Sequence, residues 1–239
     1  MPGLGTIINV CFIIAGGVAG VLSGNRLSEK SRETLMLANA VAVLFIGIAG
    51  ALQCMYVMAE NGRLETTGTM MMIASLAIGA LVGELIDLEG KIERFGVWLR
   101  DKTGNSSDKG FVNAFVTASL TVCIGAMAVV GSIEDGAVGD HSILFAKAVL
   151  DLIIIMVMSA SLGKGCMFSA IPVGLFQGSV TALAVLIRPY ITDTAMNHLS
   201  LVGSVLIFCV GVNLFWGKKI RVANLLPSLV VAVVWAAFL

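Results

Sequence analysis

The chain alternates between long apolar blocks and short polar connectors. A bilayer-spanning helix needs about 20 apolar residues, with roughly 17–25 tolerated. Eight blocks meet that length: Thr6–Leu22, Leu35–Ala59, Met70–Ile86, Phe111–Ile133, Ile143–Leu162, Cys166–Ile187, Leu199–Trp216 and Val222–Leu239. They are apolar as blocks rather than as one-sided stripes, which predicts helices surrounded by lipid. The longest polar stretch, Asp87–Gly110, sets Leu88, Ile92, Phe95, Val97, Trp98 and Leu99 among Glu and Arg. Its first half predicts an amphipathic helix lying at the cytoplasmic interface, and Thr103–Gly110 predicts a turn-rich connector. Met1–Gly5 has no basic residue and no small-residue cleavage site follows the first block, so that block reads as a retained span. The expected fold is all-α: one integral membrane domain over 1–239, a polytopic bundle of about eight transmembrane helices.

Composition sharpens this. Hydrophobic residues make up 58% of the 239 and charged residues 13%, about half the charge of a soluble globular chain. The formal net charge is zero, which argues against a nucleic-acid partner. The position of each charge carries more information. Arg26, Lys30 and Arg32 follow the first block, and Lys91, Arg94, Arg100, Lys102 and Lys109 follow the third. Lys164 follows the fifth block, and Lys218, Lys219 and Arg221 follow the seventh. Basic loops are retained in the cytoplasm during insertion, so these four connectors are expected inside and both termini outside. Cys11, Cys54, Cys123, Cys166 and Cys209 fall in separate blocks with no CxxC or Cys/His spacing, so free thiols are expected rather than disulfides or a structural metal.

Three blocks carry GxxxG, at Gly16/Gly20, Gly79/Gly83 and Gly174/Gly178, and each is followed one block later by a glycine between apolar residues, at Gly47, Gly125 or Gly211. Repeated helix pairs, partly inverted, mark many secondary transporters; close helix packing, within a chain or between copies, gives the same pattern.

Lys147 and Asp151 stand one helical turn apart inside the fifth block. An intramembrane charge points to an ion path, a proton relay or a substrate counter-charge; an ion pair that locks helices together is the alternative. Just before them, Gly131–Ser142 holds Glu134, Asp135 and Asp140 among glycines without a basic residue. It reads as a short outward loop, either an acidic vestibule for a cation or a solvated turn whose Asp140 or Ser142 caps the next helix. Thr117, Ser119 and Thr121 in the fourth block, Ser161 in the fifth, and Gln177 and Thr181 in the sixth offer hydroxyls and an amide to a path. Pro172 is placed to bend the sixth helix, and Asn224-Leu225-Leu226-Pro227 sets an amide beside a helix breaker. Asn9, Asn39, Gln53 and Asn213 read as packing polar residues. No nucleotide-binding loop, nucleophile elbow or HExxH is present. Neither enzymatic activity nor a cofactor or metal is expected.

Three stretches resemble the bacterial inner-membrane family called domain of unknown function 554: Ile8-Asn9 with Gly16-Gly17-Val18-Ala19-Gly20, Gly131 through Asp140 continuing through Ser142–Lys147 to Asp151, and Asn224-Leu225-Leu226-Pro227. The resemblance runs nearly end to end and implies a bacterial plasma-membrane protein, without implying a substrate or reaction. The function expected from the residues is a gradient-driven or passive transporter for an ion or small solute. Lys147, Asp151, Glu134, Asp135, Asp140, Thr117, Ser119, Thr121, Ser161, Gln177, Thr181 and Asn224 are its path candidates, in a homo-oligomer within the lipid bilayer. The alternative is a structural or regulatory membrane protein that holds a partner through its basic loops.

Overall fold

A computed structural model describes residues 2–24, 28–58, 62–123, 126–137, 139–187 and 192–236. It is a membrane helix bundle. Its helices are α1 (Leu4–Gly24), α2 (Glu29–Met55), α3 (Thr69–Ile86), α4 (Leu88–Lys102), α5 (Phe111–Cys123), α6 (Ala126–Ala137), α7 (Ser142–Leu162), α8 (Ala170–Ile187), α9 (Asp193–Trp216) and α10 (Pro227–Ala236). 3₁₀ turns at Lys164–Ser169 and Val222–Leu225 lead into α8 and α10. The second block stops being helical at Met55: β1 (Tyr56–Met58) pairs antiparallel with β2 (Leu64–Thr66) as a small exposed hairpin.

Among the described residues, six helices are long and apolar enough to cross a membrane. The fourth expected span, Phe111–Ile133, is not one rod. It divides into α5 and α6, bent by 77° at the break, and the pair counts as a seventh span if taken together. The eighth block is a 3₁₀ turn followed by a shorter apolar helix, Val222–Ala236 in all. Pro172 does not break its helix either. It sits in the first turn of α8, where an α-helix has no partner for an N–H.

Exposed large apolar residues cover the helices, among them Phe45, Leu81 and Leu85, the last 87% exposed. Leucines in that state on helices of this length need a hydrocarbon surround.

The chain divides into two compact units, Met1–Ala40 with Gly90–Tyr190 and Val41–Glu89 with Ile191–Leu239. In the first unit, α1 packs parallel to α7. A Cβ on Gly16 would strike the Leu152 carbonyl, on Gly20 the Met156 carbonyl, and on Gly24 the Ala160 carbonyl. The glycines therefore let two backbones meet face to face. The α5–α6 pair runs parallel to α8 and its 3₁₀ lead, with Gly165 against the Phe111 carbonyl and Gly136 against the Thr181 carbonyl. Amphipathic α4 forms as expected and lays Leu99 and Ile92 on Phe111 and Phe115, leaving Phe95 and Trp98 exposed and stacked at 5.6 Å.

In the second unit, α2 packs antiparallel to α9 through Gly47 and Gly50, which face Phe208 and Ser204. Likewise α3 packs antiparallel to α10 through Gly79 and Gly83, which face Ser228 and Asn224. Within each unit these relative directions match the alternation of basic and non-basic connectors. The first two GxxxG pairs are thus helix-packing faces; at the third, Gly174 meets Val10 and Gly178 faces open space. The expected centre of the second repeat, Gly125, lies outside the described residues.

Candidate functional site

The fifth block folds as α7 with Lys147 and Asp151 on its inner face, 6% and 3% exposed. Lys147 Nζ donates to Asp151 Oδ2 at 2.5 Å and to the Val122 carbonyl at 2.8 Å. Val122 is the penultimate residue of α5. The last carbonyls of a helix have no partner within it and carry the negative end of its dipole. The ammonium thus closes the C-terminus of a half-helix and compensates a carboxylate. Either group alone would be a costly intramembrane charge, about 2.5–3.5 kcal/mol on insertion scales.

From α1, the Asn9 side chain reaches the same place. It lies against the Asp151 carboxylate and donates to Gln177 Oε1 of α8 at 3.2 Å. Asn9 and Gln177 are themselves fully or almost fully buried.

In the same unit, further buried polar atoms lack hydrogen-bond partners among the described residues: Thr6 Oγ1 and Asn9 Oδ1 on α1, Ser119 Oγ on α5, Ser159 Oγ on α7, and Gln177 Nε2 and Thr181 Oγ1 on α8. A folded protein leaves few such atoms without a bonding partner or an ordered water. Most such atoms fall in the first unit, with Glu89 Oε2 and Asn224 Nδ2 in the second; those on α1, α5, α7 and α8 are called the polar column.

One end of the column is formed by Asp135. The segment expected as an acidic loop is helix α6 through Ala137, and Asp135 is fully buried in it. Its Oδ1 lies 2.6 Å from His141 Nδ1, while Oδ2 has no partner among the described residues and faces Gly5 of α1. Gly131 and Gly136 serve close packing here, against Ile143 and Leu144 and against Thr181, rather than turning the chain. The turn is at Gly139, whose φ is +77°. Half-buried Glu134 closes α6 through its carbonyl, which accepts from Gly139 and Asp140 N–H.

Asp140 is exposed, and its Oδ1 accepts from the Ser142 backbone N–H at 2.9 Å and the Ser142 hydroxyl at 2.6 Å. The N-cap of α7 is His141, with no side-chain cap bond; Asp140, one residue earlier, ties down the first helical residue, Ser142. Those bonds hold its carboxyl below the usual carboxylate range. The folded state keeps the charge to lower pH than the unfolded chain does. The stabilisation is therefore complete above the unfolded carboxyl range and is lost as pH falls through the folded value. The protection of the Ser142 amide, relative to the intrinsic exchange rate at each pH, is expected to fall on acidification, and Asp140→Asn to remove that dependence.

Other candidates divide clearly. Lys147, Asp151, Asp135, Ser119, Gln177 and Thr181 belong to the column. Thr121 donates back to the Thr117 carbonyl at 2.8 Å, and Ser161 to Val157 at 3.1 Å, so these hydroxyls are occupied within their own helices. Asn224 lies in the second unit, its Nδ2 likewise without a partner among the described residues. Its Oδ1 accepts from Glu89 N–H at 2.7 Å, and Glu89 Oε1 pairs with Lys218 at 2.6 Å. Asn213 is a packing residue as expected, tying the Lys219–Ile220 backbone to α9. Ser159 joins the column from the hydroxyl cluster of the fourth to sixth blocks, whereas the sequence does not mark Thr6 and Asn9 as path residues. Thr6, Asn9 and Ile13 share one face of α1 at helical spacing, the one signal that was available.

Comparison with known proteins agrees with the resemblance. No solved structure matches the chain significantly. It is 29% identical over 227 residues to the Uncharacterized membrane protein YdfK of Bacillus subtilis (strain 168), covering 95% of this chain and 93% of the relative. It is 30% identical over 233 residues to the Uncharacterized protein YqgA of Escherichia coli (strain K12), covering 96% and 94%. The family model described as "Protein of unknown function (DUF554)" matches residues 4–237, and this chain, a polytopic α-helical membrane protein, belongs to that family.

Proposed function

We propose that this protein is a gradient-driven or passive transporter of an ion or small solute, with its path along the polar column of the first unit. One observation carries the reading: Lys147 bonds both Asp151 and the Val122 carbonyl in the last turn of α5, amid buried polar atoms without partners among the described residues. Broken helices that turn backbone groups toward paired intramembrane charges are a recurrent way to build a transport site. A purely structural ion pair would need no further set of buried donors and acceptors beside it.

In this reading the basic connectors are cytoplasmic and both termini extracytoplasmic, in a bacterial plasma membrane. Asp135 and His141 then stand at the outer end of the path. The reading also keeps a homo-oligomer and partly inverted helix pairs. Gly16, Gly20, Gly79 and Gly83 are buried within the chain and Gly174 meets Val10, so the second copy is not assigned to a GxxxG face.

The test is flux in proteoliposomes under imposed proton, sodium and potassium gradients. Asp151→Asn is expected to elute as wild type does and to lose the protein-dependent flux. A wild type that passes no more than empty vesicles under every gradient would contradict transport. The exposed Phe95–Trp98 stack beside Lys91 and Arg94 on α4 favours the second reading, a partner-binding membrane protein. There Asp151→Asn would be harmless, and changes at Arg94 and Arg100 would be damaging.

A further inference from the structure

α1 and α7 run parallel, so both end at the same edge of the first unit, and a cavity of about 360 Å³ opens there. Val21 and Gly24 of α1, Ser159 and Ala160 of α7, and Gly163, Lys164 and Asp108 line it. Its volume falls at the low end of small-molecule pockets, about 300–1,000 Å³.

Three polar groups on its wall are not matched to one another. Asp108 Oδ1 accepts from Gly110 N–H at 3.0 Å, and the carboxylate makes no ion pair with Lys164. Among the described residues the Lys164 ammonium has no hydrogen-bond or ion-pair partner. Ser159 is 2% exposed; its hydroxyl lies against the Cys166 thiol and makes no other hydrogen bond among the described residues. Ser159 also stands two turns beyond Asp151 on the buried face of α7, so the cavity adjoins the column.

The electrostatics are two-signed. The negative ends of α1 and α7 and the Asp108 carboxylate favour a cation on one side. The Lys164 ammonium favours an anion on the other. A lone inorganic cation would meet the Lys164 charge, and a lone anion would meet Asp108 and two helix C-termini.

Resting on the transport reading above, we propose that this cavity binds a small zwitterion, its ammonium toward Asp108 and the helix ends, its carboxylate toward Lys164, with Ser159 adding a hydrogen bond. Such a molecule is neutral overall and complements both signs. It also brings donors and acceptors that the column beyond Ser159 lacks.

The test uses the purified full-length protein in detergent with radiolabelled glycine, L-alanine and L-serine, and with acetate and methylammonium as single-charge comparisons. At least one zwitterion is expected to bind saturably, ten-fold or more tighter than either single-charge probe. Lys164→Gln and Asp108→Asn, both at partly exposed positions, are each expected to weaken it ten-fold or more while eluting as wild type does. Asp151→Asn is expected to retain binding and to lose flux of the bound zwitterion. Three results would overturn the proposal: no zwitterion binds, acetate or methylammonium binds as well, or neither wall variant changes affinity. If an ion crosses proteoliposomes but no zwitterion binds, this inference falls and transport stands. If a zwitterion binds but nothing crosses, the site stands and transport falls.

Discussion

Lys147→Met is expected to destabilise the folded protein by about 3–5 kcal/mol, the range for removing one partner of a buried ion pair. Two losses combine. The Asp151 carboxylate, 3% exposed, is left without its cation, and the Val122 carbonyl at the end of α5 loses its donor. Methionine fills much of the lysine's volume, so a cavity adds little. The double variant Lys147→Met, Asp151→Leu removes both charges and is expected to recover most of that loss, because matched apolar replacements of buried pairs are often neutral or stabilising. Recovery should be incomplete, since an unpaired buried carbonyl still costs about 1–3 kcal/mol. Thermal unfolding in detergent, followed by helical circular dichroism, reads both. A Lys147→Met protein as stable as wild type would show that the ammonium is solvated rather than bonded as described. A stable double variant without flux would separate the pair's function from its contribution to stability.

Gly20→Leu is expected to separate α1 from α7 and to cost at least the 1–3 kcal/mol typical of overpacking. Even a single methyl there would strike the Met156 carbonyl and come within 2.8 Å of the Ser159 Cβ. The obstruction includes backbone, so it cannot be relieved by a rotamer change. Gly178→Ala is the control. It faces open space, and alanine favours a helix over glycine by about 1 kcal/mol, so that variant should be neutral or slightly more stable. The difference in melting temperature between the two variants checks this, and equal effects would contradict the packing described for α1 and α7.

The helices were legible because lipid demands long apolar blocks, and their relative directions because basic residues alternate between connectors. Lys147 and Asp151 were legible for the same reason: charges stand out in an apolar run. The break after Cys123 was not. Phe111–Ile133 reads as continuous apolar sequence, and it contains no proline to announce a bend. Gly131 through Asp140 reads as a turn by composition, yet most of it is helix. Its glycines accommodate neighbouring helices at close range, and a glycine's neighbours are tertiary information. Asn9 was read as a packing residue because its partner Gln177 lies 168 positions away. The cavity beside Lys164 was equally hidden, since Val21, Asp108 and Ser159 come from distant parts of the chain.

Access of water to the column tests the account most directly. In a chain with the five native cysteines replaced, Gln177→Cys and Phe45→Cys would each be exposed in intact membranes to a small cationic methanethiosulfonate reagent. Gln177 is 1% exposed and Phe45 is 68% exposed. A dry bundle would protect the first from the reagent, and lipid would protect the second. The account predicts reaction at position 177, slowed by Asp151→Asn, and none at position 45. An inert position 177 beside a reactive Lys164→Cys would mean that the polar groups are sealed in protein and that nothing passes along them.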